Sequence, residues 1–245
     1  MTSQVMKSAG YYDLHQAFGE PGCALCRLLA QTADSYIDSM LWELVNDPEL
    51  RQELNQTRGY CRDHAWLLVR YGASLGAAIM MKDIIDTLLR VAEAANFEPP
   101  SFSLRQLFSS PKPSSATARL ATGLAAQASC PVCVKVQTSE AYYLAALRAH
   151  FTGSDSLAPA YQSSAGLCLP HFRRALAQTT EQETFAALVE AQKAVWRRLS
   201  TELGEFIRKK DYRFQDEAIG PEGDAWLRAI EAVSGAAPPR PQAQL

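Results

Sequence analysis

The chain has no apolar run long enough to cross a bilayer. Its richest stretches, near residues 65–69 and 75–81, are broken by Arg70, Lys82 and Asp83, well short of the roughly 20 apolar residues a spanning helix needs. Residues 1–12 lack the apolar core and small-residue cleavage site of a secretory signal. A cytoplasmic protein without a membrane segment is therefore expected. Neither sign of charge dominates: 24 Lys and Arg stand against 26 Asp and Glu, a formal −2, which gives no global attraction to nucleic acid or to an anionic membrane. A G-x-S-x-G elbow, a P-loop, an HExxH and a Rossmann glycine run are all missing, so hydrolase, nucleotide-binding and zinc-protease readings have no anchor. Paired carboxylates such as Glu181 and Glu183 sit at a helix start, where capping explains them more simply than acid-base chemistry. No alternating β-branched run has the length of a strand. What remains is an all-α protein of 245 residues, 47% apolar, able to bury a substantial core.

Cysteine is scarce but patterned. Cys23-x-x-Cys26 is followed by Cys61-x-x-His64, and all four positions recur 107 residues on, from 23 to 130 and from 64 to 171, as Cys130-x-x-Cys133 and Cys168-x-x-His171. All six cysteines and two of the four histidines are used. Each half thus carries three thiols and one imidazole, the donor set of a closed tetrahedral site, and the expectation is one Cys3His site per half, with each CxxC pairing the CxxH of its own half. Two Zn2+ ions are expected, with iron-sulfur clusters as the alternative, since the same donors can hold a cluster. A c-type haem is excluded because Arg27 and Val134, not histidine, follow the second cysteine of each CxxC. In a reducing compartment such cysteines read as ligands rather than disulfides. A thioredoxin-like use of either CxxC would want a βαβ context, which is absent. His15 and His150 fall outside the repeat and read as surface or helix histidines.

The periodicity fits a helical bundle of two pseudo-equivalent repeats. Leu28, Leu29, Ala33, Tyr36, Ile37, Met40, Leu41 and Leu44 recur at helical spacing from the first CxxC. Asp47-Pro48 reads as an N-cap and first helical residue, with a short helix to about Leu54 and a turn at Arg58-Gly59. A helix from about Asp63 carries Trp66, Leu67 and Val69, and another after Gly72 carries Leu75, Ile79, Ile84, Ile85, Leu88 and Leu89 to about Ala95. In the second half Val132, Val136, Tyr143, Leu144, Leu147 and Phe151 mark the first helix, and a Gly/Ser/Pro-rich segment replaces the short one. Tyr36/Tyr143, Leu50/Leu157 and Gly59/Gly166 also match at the 107 shift. Thr180-x-x-Glu183 reads as a capping box opening a helix to about Lys210, and a last helix from Gly220-Pro221 would turn Trp226, Leu227, Ile230 and Val233 to the core. The domains expected are residues 1–95 as the first repeat, 96–118 as a Pro/Ser-rich linker, 119–235 as the second repeat with C-terminal helices, and 236–245 as a disordered tail.

Five segments together resemble a bacterial family known as a domain of unknown function: Glu20-Pro21-Gly22-Cys23-Ala24-Leu25-Cys26, Leu44-Val45-Asn46-Asp47-Pro48, Arg58-Gly59-Tyr60-Cys61-Arg62-Asp63-His64, Gly166-Leu167-Cys168-Leu169-Pro170-His171 and residues 206–214. Members resemble this chain over most of its length and are sometimes labelled as substrate-binding proteins of ABC transporters. That label is not carried over, since no export signal or lipid-anchor cysteine is seen. Ala24 departs from the proline that members often show there, a proline that the second repeat has as Pro131. The resemblance implies no reaction. The function expected is a zinc-stabilised helical module that binds a protein partner; a redox sensor or an electron- or cluster-transfer protein is the alternative. Lys193, Arg197, Arg198, Arg208, Lys209, Lys210 and Arg213 gather near the end of the long helix, but Glu202, Glu205, Asp211 and Asp216 dilute the stripe. Nucleic acid is not the expected partner, and no membrane is.

Overall fold

The computed structural model describes residues 7–95, 115–214 and 216–237. The prolines at 99, 100, 111 and 113 and the chain from 238 lie outside the described residues, as do most of the expected linker and tail. Among the described residues there are eleven α-helices and no strand. They are α1 (Ala9–Phe18), α2 (Ala24–Trp42), α3 (Pro48–Thr57), α4 (Arg62–Ala65), α5 (Ser74–Glu93), α6 (Ser115–Leu124), α7 (Pro131–Ala149), α8 (Ala158–Ser163), α9 (Leu169–Gln178), α10 (Gln182–Lys209) and α11 (Ala225–Ser234). No helix among them is long and apolar enough to cross a membrane.

Local chemistry accounts for most of the boundaries. The Asp47 side chain accepts the Leu50 N–H at 2.8 Å, and Pro48 opens α3, as expected. Arg58 in the left-handed region and Gly59 at φ 91 then close it. α1 was not expected; Ser8 caps it, and it buries Tyr11, Leu14, Ala17 and Phe18 along one face. α6 begins inside the expected linker. A short helix also exists in the second half, contrary to expectation. Ser156 Oγ caps the Ala158 N–H at 3.0 Å, Pro159 falls in the first turn where its missing N–H costs nothing, and Tyr161 anchors α8 by complete burial. The expected capping box does not form: Glu181, not Thr180, is the N-cap of α10, its side chain caps no backbone N–H, and its carboxylate accepts instead from the Thr184 hydroxyl at 3.3 Å.

Contacts divide the chain into two units. One is built from residues up to Thr32 and from Val136 to the last described helix, the other from Ala33–Lys135. The boundaries fall inside α2 and α7, so the compact units follow a different division from the sequence repeats. In the first unit α10 packs on α8 and α11, α11 on α9, and α1 on α8. Its core joins Leu14, Phe18 and Leu25 to Leu144, Leu147, Phe151, Tyr161 and Leu188. In the second unit α5 packs on α3 and α6, over Ile37, Met40, Leu54, Met80 and Ile84. Leu75, Ile85 and Leu89 of α5 are exposed.

α11 overturns its expected orientation. Trp226, Leu227, Ile230 and Val233 are exposed, and only Ala225 is fully buried. The helix seats its ion-pairing side instead, with Arg228 bridging Glu202 of α10 at 2.5 Å and Asp224 at 2.7 Å. Its entrance is fixed by Glu222, 6% exposed, whose carboxylate accepts from the Gly220 N–H at 2.8 Å and from Lys209 Nζ at 2.9 Å. These bonds, the backbone one first, hold its carboxyl down at about 2, from an ordinary 4.5. A depressed carboxylate contributes stability above its unfolded value and loses it as pH falls toward its folded one. The stability deficit of Glu222→Gln against the native chain is thus expected to be constant from pH 7 to about 5 and to vanish near pH 2. Urea midpoints of the two proteins compared across that range would show it; a deficit that persists at the acid end would contradict it.

Candidate metal centres

Four helix starts carry the eight donors. Cys61 and Cys168 are the N-caps of α4 and α9, with extended backbone at φ −66 and −65. Cys23 and Cys130 immediately precede α2 and α7, and the carbonyls of all four accept the N–H four residues on, at 3.2, 2.9, 3.1 and 2.8 Å for Cys23, Cys61, Cys130 and Cys168. Each motif thus starts a helix, where unpaired N–H groups and the positive dipole end favour thiolate. Two residues before each CxxH the chain must turn, and glycine supplies the turn at Gly59 (φ 91) and Gly166 (φ 67). The second turn is more tightly enclosed: the Tyr161 hydroxyl and Gln192 Oε1 both accept the Leu167 N–H at 3.2 Å. A Cβ on residue 166 would meet Gln192 Oε1 at 3.0 Å and Val195 at 3.3 Å, whereas one on residue 59 would meet only Ile84 at 3.4 Å. Gly166→Ala is therefore expected to cost about 2–4 kcal/mol, combining left-handed strain with overpacking, and Gly59→Ala about 1–2 kcal/mol from strain alone. Denaturant midpoints would rank the two, and equal losses would contradict the difference in enclosure.

The eight expected residues gather into two groups, each with its donor atoms within 4.8 Å of one another: Cys23, Cys26, Cys168 and His171, and Cys61, His64, Cys130 and Cys133. The pairing of motifs within each half is corrected. Each CxxC meets the CxxH of the other half, and each group falls wholly within one compact unit. The reason is reach. α2 carries the chain about 28 Å from its CxxC at 1.5 Å per residue over 19 residues. The return is wound into tight turns at Leu44, Asp47 and Gly59 and into the ten residues of α3, not drawn out as an extended strand. Two long helices, each starting at a CxxC, therefore deliver the chain to the opposite unit.

In the first group the His171 Nδ1 lies 3.5, 3.5 and 3.1 Å from the sulfurs of Cys23, Cys26 and Cys168, and Cys26 and Cys168 are 3.7 Å apart. In the second, His64 Nδ1 lies 3.2, 3.7 and 3.3 Å from Cys61, Cys130 and Cys133, with 3.6 Å between Cys61 and Cys133. A disulfide at about 2.05 Å is excluded by these separations, and all six cysteines are free. A tetrahedron with metal–sulfur bonds of about 2.3 Å has sulfur–sulfur edges of about 3.8 Å, so the donors are already spaced for a single ion. Both groups could hold metal ions.

Crowded donors compete for protons. Hydrogen bonds with Cys168 and Cys23 hold Cys26 far below the ordinary thiol range, while those same contacts with Cys168 and Cys26, together with burial, push Cys23 up. Burial lowers the proton affinity of His171, but Cys168 and Cys26 more than offset it and bring it to about 9. Burial, then Cys61, pushes Cys133 up to about 12. A metal would displace these protons, so its binding is favoured as pH rises. Three neighbours went unforeseen. The Ala236 N–H reaches Cys26 Sγ at 3.5 Å. Glu140 Oε1 lies 3.4 Å from His171 Nε2 and 2.5 Å from Arg174. A cavity of about 40 Å³, room for a few waters, adjoins Cys23 and Cys168 beneath Arg198 and Arg228. No spacing rule in the sequence marks these. His150, outside the repeat, is buried edge-on against Tyr11, and of the cations gathered near the end of α10, Arg208 pairs with Glu205 and Glu217 and Lys209 with Glu222.

The family model described as "Family of unknown function (DUF6062)" matches residues 12–240, a span that includes all eight donors. The chain belongs to DUF6062. A relative of this DUF6062 chain, "Uncharacterized 23.9 kDa protein in xynA 3'region" from Caldicellulosiruptor sp. (strain Rt8B.4), is 24% identical over 219 residues, covering 89% of this chain and 97% of the relative. No solved structure matches the chain.

Proposed function

We propose that the protein binds two structural zinc ions, one in each Cys3His group, and acts as an interaction module for a protein partner in a reducing, cytoplasmic setting. The observation that carries this reading is the spacing of the donors. A single ion about 2.3 Å from each sulfur cannot hold two of them more than about 4.6 Å apart, and the Cys26–Cys168 and Cys61–Cys133 sulfurs, 3.7 and 3.6 Å apart, meet that limit, whereas a cluster spreads its ligands over several irons. Four protein donors leave no open coordination position, which favours a structural over a catalytic ion. The exposed apolar side of α11, with Trp226, Ile230 and Val233, supports a role in binding, since apolar surface of this kind marks interaction sites.

The test is to purify the chain anaerobically and measure metals and acid-labile sulfide per chain with its visible spectrum. About two zinc per chain without sulfide or colour is expected. Iron with matching sulfide would overturn the zinc reading and turn attention to redox or cluster chemistry.

A further inference from the structure

The two donor sets are the same, but their surroundings are not. In the first group Cys168 is 1% and His171 8% exposed. In the second, the equivalent Cys61 and His64 are both half-buried. The difference continues behind the imidazoles. Both histidines turn Nδ1 to the sulfurs, leaving Nε2 to carry the ring proton when a metal is bound. Behind His171 stands the carboxylate of Glu140, 9% exposed on α7, 3.4 Å from Nε2 and fixed from its other side by Arg174. The 107-residue shift carries Glu140 to Ala33 and Arg174 to Leu67, both buried and both apolar. Among the described residues no carboxylate pairs with His64.

We infer that the second site, Cys61, His64, Cys130 and Cys133, is an exchangeable zinc site, that the first is a permanent one, and that Glu140 is the positioning residue that separates them. A carboxylate behind a ligating histidine fixes its tautomer and ring orientation and raises its basicity, and losing such a partner typically costs 10–100-fold in metal affinity. Glu140 and Arg174 supply that support in one unit, and Ala33 and Leu67 cannot supply it in the other. Exposure acts in the same direction, because a competing ligand must reach the ion before it can remove it. The zinc of the second site is thus the one available to an acceptor with thiolate, imidazole or carboxylate donors.

This inference rests on the proposal that both groups hold zinc, so zinc per chain is measured first. A chain with less than two equivalents fails that proposal before exchange is examined. The full-length, zinc-loaded protein is then mixed with excess 4-(2-pyridylazo)resorcinol and zinc release followed by absorbance. Two phases of about one equivalent each are expected, and Glu140→Gln, which keeps the shape and removes the charge, is expected to speed only the slow phase, by about 10–100-fold. The unchanged fast phase separates positioning of His171 from general loosening. Release of both equivalents in one phase from the native chain, or a Glu140→Gln variant that moves both phases, the fast phase or neither, would overturn the inference.

Discussion

Cys26→Ser and Cys168→Ser are expected to remove the same zinc ion. The two residues lie 142 positions apart in sequence, with their sulfurs 3.7 Å apart. Each single variant should purify with about one zinc, and so should the double variant, because the second change finds a site already lost. Cys26→Ser with Cys61→Ser should leave none, since it takes one ligand from each group. Pairing within halves demands the reverse: none for the first pair and one for the second. The effect is large because structural zinc contributes on the order of 10–16 kcal/mol in small metal domains, comparable with the whole stability of a typical domain. Zinc per chain, read by mass spectrometry with folded yield, decides between the two wirings.

Complete removal of zinc is expected to unfold the second unit before the first. The first has an extensive apolar core in which Leu14, Leu25, Leu144, Phe151 and Tyr161 are almost wholly buried, so part of its structure has support independent of metal. The second buries fewer large side chains and exposes Trp66, Tyr71, Leu75, Ile85 and Leu89. Small cores rely on staples, and under the zinc proposal the Cys3His group would be the staple here. Hydrogen exchange on the chelated protein should show α3 and α5 losing protection across their length while the middle of α10 keeps it. Equal loss in the two units, or earlier loss in α10, would contradict this ranking.

The helices α2, α3, α5, α7 and α10, their order and the eight residues that gather into the two groups were legible because each has a local signature, whereas α1 and α6 were not. Asp47-Pro48 announces α3, and the gapless 107-residue shift singles out all eight donors at once. Which CxxC meets which CxxH was not legible, since spacing within a motif holds no information about the path between motifs. That path depends on α2 staying straight for 19 residues and on α3 consuming the return as helix. α8 escaped because its signals are one buried tyrosine and a serine cap in a segment whose composition reads as loop. α11 misled because its apolar stripe is real but faces outward. Amphipathicity states that a face is apolar and leaves open what covers it, and here the opposite side docks through Arg228. Glu140 became visible only once α7 and α9 were seen side by side.

The crossed wiring changes what holds the chain together. A protease cutting between α5 and α6 would sever the sequence into two fragments, yet with metal bound each ion would be gripped by two ligands from either piece. The nicked molecule would be clasped twice and would still travel as one particle through a sizing column, parting only when a chelator opens both clasps. With both ions bound, covalent continuity between the halves would serve chiefly to set their concentration relative to each other during folding, while cohesion of the finished protein would pass to the ions and the packed helices around them.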